Sequence, residues 1–174
     1  VELIDNEITY GKIGYIGIKM NSLTDKDIIR KLAEASRAGV KVELVVRGIC
    51  CLVAGIEGDT ENIRVVSIVG RFLEHSRIYI FGKDERRRVY ISSADFMTRN
   101  TERRVEVAAP ILDSRLADKV AQMFETMLRD NVKAREQGSD GKYRHVQKKD
   151  DEQQLNSQLY FYEKAYEAAE AAAP

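Results

Sequence analysis

The residues best suited to chemistry lie between Ile63 and Arg77. An apolar, β-branched run (Ile63, Val65, Val66, Ile68, Val69) reads as a buried strand that breaks at Gly70, and Arg71, Glu74, His75 and Arg77 follow at once. An imidazole exchanges protons near neutral pH, and guanidinium forks hold phosphate oxygens in pairs. A histidine between arginines, just past a buried strand, therefore suits phosphate chemistry; the alternative is a surface loop whose charges are merely solvated. Arg47-Gly48 is a second candidate, because it follows the apolar run Val40 to Val46. Ligands of open α/β sheets collect outside the carboxyl ends of strands, and a glycine there lets the backbone turn or approach closely. The alternative for Arg47 is a structural arginine paired with an acid. Ser92-Ser-Ala-Asp95 offers small polar groups for hydrogen bonds to a phosphate, and Glu106 stands alone between Val105 and Val107. His145, the only other histidine, has no acid or metal-type partner at useful spacing and reads as structural.

Five stretches resemble one family in the same order. Gly70-Arg-Phe-Leu-Glu-His-Ser-Arg77 resembles the signature of the larger, ATP-dependent polyphosphate-synthesising kinases of bacteria. Lys19-Met-Asn-Ser-Leu23, Val46-Arg-Gly-Ile-Cys-Cys-Leu52, Tyr90-Ile-Ser-Ser-Ala-Asp95 with Met97-Thr-Arg-Asn100, and Arg103-Arg-Val-Glu-Val107 agree with it as well. These matches cover most of Lys19 to Pro110, and Asn156-Ser157-Gln158 adds a weaker one. The resemblance implies the C-terminal catalytic domain of a longer polyphosphate kinase, with a phospholipase D-like α/β fold. Such an enzyme moves the terminal phosphate of ATP reversibly onto polyphosphate, through a phosphohistidine and with Mg2+. By resemblance, Arg47 contacts nucleotide phosphate, His75 is an acid or phosphate ligand rather than the nucleophile, and Glu106 lies in the active site. The phosphohistidine and the Mg2+ ligands belong to a preceding domain, so no metal ligand is expected here and the isolated chain is expected to be inactive. ATP, ADP, inorganic polyphosphate and that preceding domain are the implied partners, and the full-length enzyme is expected to be a homo-oligomer. The family usually carries a proline where this chain has Ala54, a departure that bears on the rigidity of the loop.

Two other classes compete. A phospholipase D-type phosphodiesterase needs His-x-Lys, four residues, Asp, and a downstream Gly-Ser-x-Asn. Here the frame reads His75-Ser-Arg77, with Gly82 at the Asp position and Ser92-Ser-Ala-Asp95 downstream, so the lysine and the aspartate are gone. A nucleic-acid-binding module is suggested by ten Lys/Arg against five Asp/Glu between Arg64 and Arg104. It lacks aromatics interleaved with the basic residues and carries an acidic tail, so it ranks last, and nucleic acid is not an expected partner.

These residues must be positioned by an α/β scaffold, read as a single-domain mixed sheet flanked by helices. Lys12 to Met20 reads as a strand, and Thr24 or Asp25 caps a helix through Ile28, Ile29 and Leu32 that stops at Gly39. Val40 to Val46 follows as the second strand of a parallel crossover. Leu52 to Asn62 reads as loop, and Ile78 to Phe81 and Arg88 to Ser92 as an antiparallel hairpin. Arg103 to Ala108 reads as a further strand bearing Glu106 on the face opposite its valines. A helix from Asp113 or Ser114 to about Asn131, a polar loop from Ala134 to Asp150 with a short strand near Tyr143 to Val146, and a helix from Leu155 to Ala173 complete the chain. Residues 1–149 read as the catalytic-type domain and residues 150–174 as a helical tail. Arg86 to Arg88 read as a solvated hairpin shoulder with a polyanion contact as the alternative.

Composition narrows the class. At 44% hydrophobic and 32% charged residues the profile is globular rather than disordered, and 174 residues suffice for one core. No apolar run reaches membrane-spanning length and no signal-peptide pattern precedes the first strand. Adjacent Cys50 and Cys51 make neither an unstrained disulfide nor a zinc site, which fits a reduced, cytoplasmic protein. For the full-length enzyme the expectation is cytoplasmic, with membrane association as the alternative. The start at Val1 rather than Met reads as a piece of a longer chain.

Overall fold

The structure, a computed structural model, describes residues 1–172, and the side chains of all of these except residues 101 and 102. Helix α1 (Glu2–Tyr10) precedes strand β1 (Tyr15–Met20), helix α2 (Lys26–Arg37) and strand β2 (Lys41–Val46). A long loop leads to β3 (Ile63–Ile68), then come the hairpin β4 (Ile78–Phe81) and β5 (Arg88–Ser92), the short α3 (Thr98–Glu102) and β6 (Ala108–Pro110). Helix α4 (Ser114–Leu128), β7 (Ala134–Gln137), β8 (Tyr143–His145) and α5 (Ser157–Ala171) follow. The strands form one eight-stranded sheet in the order β6-β5-β4-β1-β2-β3-β7-β8. Only the β1–β2 and β2–β3 pairs are parallel, and the others are antiparallel.

The central strands are apolar on both faces because helices cover both. On β1, Ile16, Ile18 and Met20 join Ile4 of α1 and Ile28 and Leu32 of α2 in one buried cluster. Tyr15 faces the other way and joins Val45, Val66, Ile80 and, from α4, Ala121, Phe124 and Leu128. Both long core helices start at aspartates: Asp25 accepts from the amides of Asp27 and Ile28, and Asp113 from those of Arg115 and Leu116. Gly39, at φ 90°, ends α2 and turns the chain into β2.

Four expectations need correction. The first strand begins at Tyr15, since Gly11–Ile13 forms a 3-10 turn after an N-terminal helix that the sequence reading did not place. Arg103 to Ala108 is not a strand; the strand at this edge is Ala108–Pro110, and the segment before it is irregular. Val105 and Val107 are exposed there and Glu106 is half-buried, so the valines cover no core. The polar stretch from Ala134 holds β7, whose register is fixed by burial of Ala134 and by Arg64, which bonds Glu136 across the pair. The last helix starts at Ser157 rather than Leu155, and Ala173 lies outside the described residues.

The loop from Leu52 to Asn62 is held firmly. Ala54 N–H donates to Gln137 Oε1 at 2.9 Å, and Gln137 Nε2 donates back to the Leu52 carbonyl at 3.1 Å. Thr60 Oγ1 donates to the Val53 carbonyl at 2.7 Å and accepts from Ile56 N–H at 3.1 Å. The amide hydrogen that a proline at position 54 would lack is the one that ties this loop to β7. The residue replacing proline thus brings its own anchor.

Candidate active site

The candidate residues converge on one edge of the sheet. Arg47 follows β2, the segment 69–77 links β3 to the start of β4, and Ser92 ends β5. Because β4 runs antiparallel to β1, its first residue Ile78 pairs with Lys19 near the carboxyl end of β1. All these segments therefore meet where the parallel strands finish, the edge at which such sheets bind ligands.

A chain of hydrogen bonds links the two sequence-predicted phosphate residues. Arg47 Nε donates to Asn21 Oδ1 at 2.6 Å. The Asn21 amide donates to Asp95 Oδ1 at 2.7 Å, and Asp95 receives Arg77 through Nε at 3.2 Å and Nη2 at 3.1 Å. Arg77 Nη1 then lies 3.1 Å from Nδ1 and 3.3 Å from Nε2 of His75 and donates to the His75 carbonyl at 3.0 Å. Burial pushes the Asp95 carboxyl upward, but the bonds from Arg77 and Asn21 outweigh it and hold the group below the ordinary aspartate range. Asp95 is thus the ionised hub of the edge. Tyr79, whose hydroxyl donates to the Ala94 carbonyl at 2.7 Å, fixes the segment carrying it.

The two arginines differ in what remains free. Arg77 is neutralised by a bidentate aspartate with both side chains largely buried. Arg47 makes no ion pair among the described residues, and it lines an open cleft of about 290 Å³ with residues 68–74. Among the described residues no acid partner for Arg47 is found within ion-pair distance. Gly48 is required by proximity, since a Cβ there would sit 2.7 Å from the Asn21 carbonyl oxygen. His75 is exposed, and Arg77 Nη1 is its neighbour at both the ring and the backbone carbonyl.

Glu106 reaches the same edge but does not touch His75 or Arg47. It accepts a hydrogen bond from the Ser93 hydroxyl and another from Asn100 Nδ2, and these two bonds keep it ionised below the usual glutamate range. Ser93 Oγ also accepts the Val107 amide at 3.1 Å, which explains how an irregular segment holds the carboxylate in place. Arg77 is close enough to act on Glu106 through its charge.

Sequence reasoning assigned no role to Lys19. This lysine is fully buried on β1, and its Nζ donates to the carbonyls of Glu74 at 3.0 Å and Ser76 at 3.1 Å, on either side of His75. Burial lowers its pKa to about 8, opposed by the charge of Glu74 and aided by those of Arg47 and Arg77. A lysine in the middle of an apolar strand was the available signal. The Arg86 to Arg88 triplet, by contrast, sits mostly in structural pairings: Arg86 bonds Glu7 and the Ile13 carbonyl and stacks on Tyr10, and Arg87 bonds Asp118.

Carboxylates that would hold a cation are engaged elsewhere at this edge, Asp95 by Arg77 and Glu106 by Ser93 and Asn100. Among the described residues, no three His, Cys, Asp or Glu side chains converge in a metal-binding group. No helix among them is long and apolar enough to cross a membrane.

Comparison with known proteins bears on the family and the fold. Residues 1–158 match the family described as polyphosphate kinase C-terminal domain 2. The chain is 52% identical to a polyphosphate kinase of Bacillus cereus over 98% of its own length and 25% of that protein. It superimposes on the crystal structure of polyphosphate kinase from Porphyromonas gingivalis with a TM-score of 0.90 and 41% identity, covering 98% of this chain and 26% of that one. A phospholipase D family member, Nuc from Salmonella typhimurium, matches with a TM-score of 0.57 and 19% identity over 79% of this chain and 90% of that one, which shows a common fold. The chain spans about a quarter of the length of the curated relatives it matches. The ordered motifs, the sheet they stand on and the match across residues 1–158 lead to one assignment: the chain belongs to the polyphosphate kinase C-terminal domain family.

Proposed function

We propose that this chain supplies one half of the active site of an ATP–polyphosphate phosphotransferase, and that a preceding domain supplies the other half. A histidine nitrogen of that domain attacks the γ-phosphorus of ATP, the bond to the β–γ bridging oxygen breaks, and ADP leaves. The terminal oxygen of a polyphosphate chain then attacks the phosphohistidine, and the phosphorus–nitrogen bond breaks. Both steps are reversible. Transfer of this kind depends on placement and charge stabilisation more than on elaborate covalent chemistry. In this chain Arg47 holds phosphate oxygens, and His75 gives a proton or a hydrogen bond to the leaving or transferring oxygen. Glu106, held ionised by Ser93 and Asn100, completes the electrostatic frame around Arg77. Magnesium accompanies ATP in this proposal, with its ligands outside this chain, and no step here is assigned to it.

The observation that carries the reading is the contrast between the two arginines. Arg77 is committed to Asp95, whereas Arg47 makes no ion pair among the described residues and lines an open cleft with residues 68–74. The same contrast weighs against diester hydrolysis. The cation at the lysine position of the phosphodiesterase frame is the committed Arg77, and the aspartate position is Gly82 in a tight turn at φ 75°. Two assays on a full-length enzyme carrying this chain decide between the readings: transfer of phosphate from ATP to polyphosphate, and release of nitrophenol from bis-nitrophenyl phosphate. The first activity without the second is expected, and the reverse would overturn the proposal. The isolated chain is expected to show neither.

A further inference from the structure

The loop that presents His75 has little structure of its own. Between Val69 and Ser76 the backbone–backbone bonds among the described residues reduce to His75 N–H to the Leu73 carbonyl, and Val69 and Leu73 are exposed. Three side chains from outside do the holding, and one of them is Arg77, whose Nη1 donates to the His75 carbonyl at 3.0 Å. Lys19 reaches from β1 to the carbonyls of Glu74 and Ser76. Gln158, in the first turn of α5, reaches the same loop. Its Oε1 accepts the Phe72 amide at 3.0 Å, and its Nε2 donates to the Phe72 carbonyl at 2.8 Å and to Glu74 Oε1 at 2.8 Å.

Gln158 is itself fixed. It is 5% exposed, and its neighbour Ser157 is locked by Asp130, whose Oδ2 accepts both the Ser157 amide at 2.7 Å and the Ser157 hydroxyl at 2.8 Å. Asp130 Oδ1 accepts the amides of Val132, Lys133 and Ala134 at the entry to β7. The start of α5 is therefore bolted to the sheet. The loop passes so close to it that a Cβ on Gly70 would lie 2.5 Å from Gln158 Oε1. A side chain that must accept from one amide while donating to a carbonyl and a carboxylate has to be a carboxamide.

We propose that Gln158 is a positioning residue for His75: together with Lys19 and Arg77 it clamps the backbone of residues 72–76, so that a loop with little bonding of its own holds the imidazole at a fixed place. The inference rests on the role given to His75 under Proposed function. Misplacing a reacting group by about 1 Å costs on the order of 10²-fold in rate, so the clamp bears on turnover rather than on substrate capture.

The test uses a full-length enzyme carrying this chain. In Gln158→Ala, hydrogen exchange of the peptide spanning residues 70–77 should quicken at least about tenfold, and kcat for phosphate transfer from ATP should fall roughly 10- to 100-fold while KM for ATP stays within about threefold. Gln158→Glu keeps the size but places a carboxylate against Glu74 and the Phe72 carbonyl. Its kcat should be low at neutral pH and recover toward acid pH, where a proton restores a donor. Adding Glu74→Gln should restore part of the activity at neutral pH by returning one donor to the pair. A helix merely needed for stability would give neither the pH-dependent recovery nor the rescue. Unchanged exchange in Gln158→Ala, or quickened exchange with unchanged kcat, would overturn the proposal. A wild-type enzyme that transfers no phosphate would instead overturn the functional reading and the catalytic half of this inference, while the exchange comparison still decides whether Gln158 holds the loop.

Discussion

Replacing Ala54 by the proline usual in the family should destabilise this chain. Proline at position 54 removes the amide hydrogen that Gln137 Oε1 now accepts, and Gln137 is buried. An orphaned buried acceptor costs about 1–3 kcal/mol. Against this, proline restricts the unfolded chain, which stabilises by about 0.4–1 kcal/mol where the native backbone accepts it. The loss outweighs the gain by roughly 1–2 kcal/mol, and for a domain of this size the midpoint should fall by about 2–8 °C. Thermal unfolding followed by circular dichroism reads this directly, and the transition should be cooperative. A double-mutant cycle sharpens it. In a Gln137→Ala background no acceptor is left to orphan, so Ala54→Pro should turn neutral or stabilising. A rise in midpoint for Ala54→Pro alone, or an equal fall in both backgrounds, would refute the idea that the Ala54–Gln137 bond anchors this loop.

Three further outcomes follow from the site. In a full-length enzyme, Arg47→Ala should lower ATP use by roughly 10²- to 10³-fold, whereas Arg87→Ala, which removes only a surface pair with Asp118, should change it little; steady-state kinetics on both variants checks this. His75→Ala should cut turnover by roughly 10²- to 10⁴-fold with a modest change in ATP binding, and His75→Gln should recover part of the loss if a hydrogen bond suffices and none if a proton must move. Lys19 has a folded pKa near 8 against an ordinary lysine value of 10.5, so above about pH 8 the unfolded chain binds the extra proton and stability gains with rising pH. Denaturant unfolding of wild type and Lys19→Met at pH 7 and pH 10 should therefore show wild type gaining relative to the variant, and a difference independent of pH would contradict the burial of that charge.

Much of this molecule is legible from local pattern. The strand–helix–strand crossover and the hairpin showed themselves through β-branched runs, Asp caps and glycine stops, each a short-range signal. The placement of Arg47 and of the His75 segment at one end of the sheet was readable because each follows an apolar strand. What failed is what depends on distant partners. Glu106 was placed on a strand by the alternation of its valines, yet it is held by Ser93 and Asn100 while those valines face solvent. Strand β7 reads as loop because Arg135 and Glu136 are polar, and only pairing with β3 makes them a strand. Lys19 shows locally only as a charge within an apolar strand and Gln158 not at all, since each acts on a loop more than fifty residues away in sequence.

The central claim is that this chain provides the non-nucleophilic half of a phosphohistidine enzyme. The most direct measurement is to incubate a full-length enzyme carrying this chain with ATP and to locate the attached phosphate by mass spectrometry under conditions that preserve phosphohistidine. The phosphate should lie on a histidine outside residues 1–174, and it should still attach in the His75→Gln variant. Phosphate carried on His75 itself would contradict the account and make this residue the nucleophile.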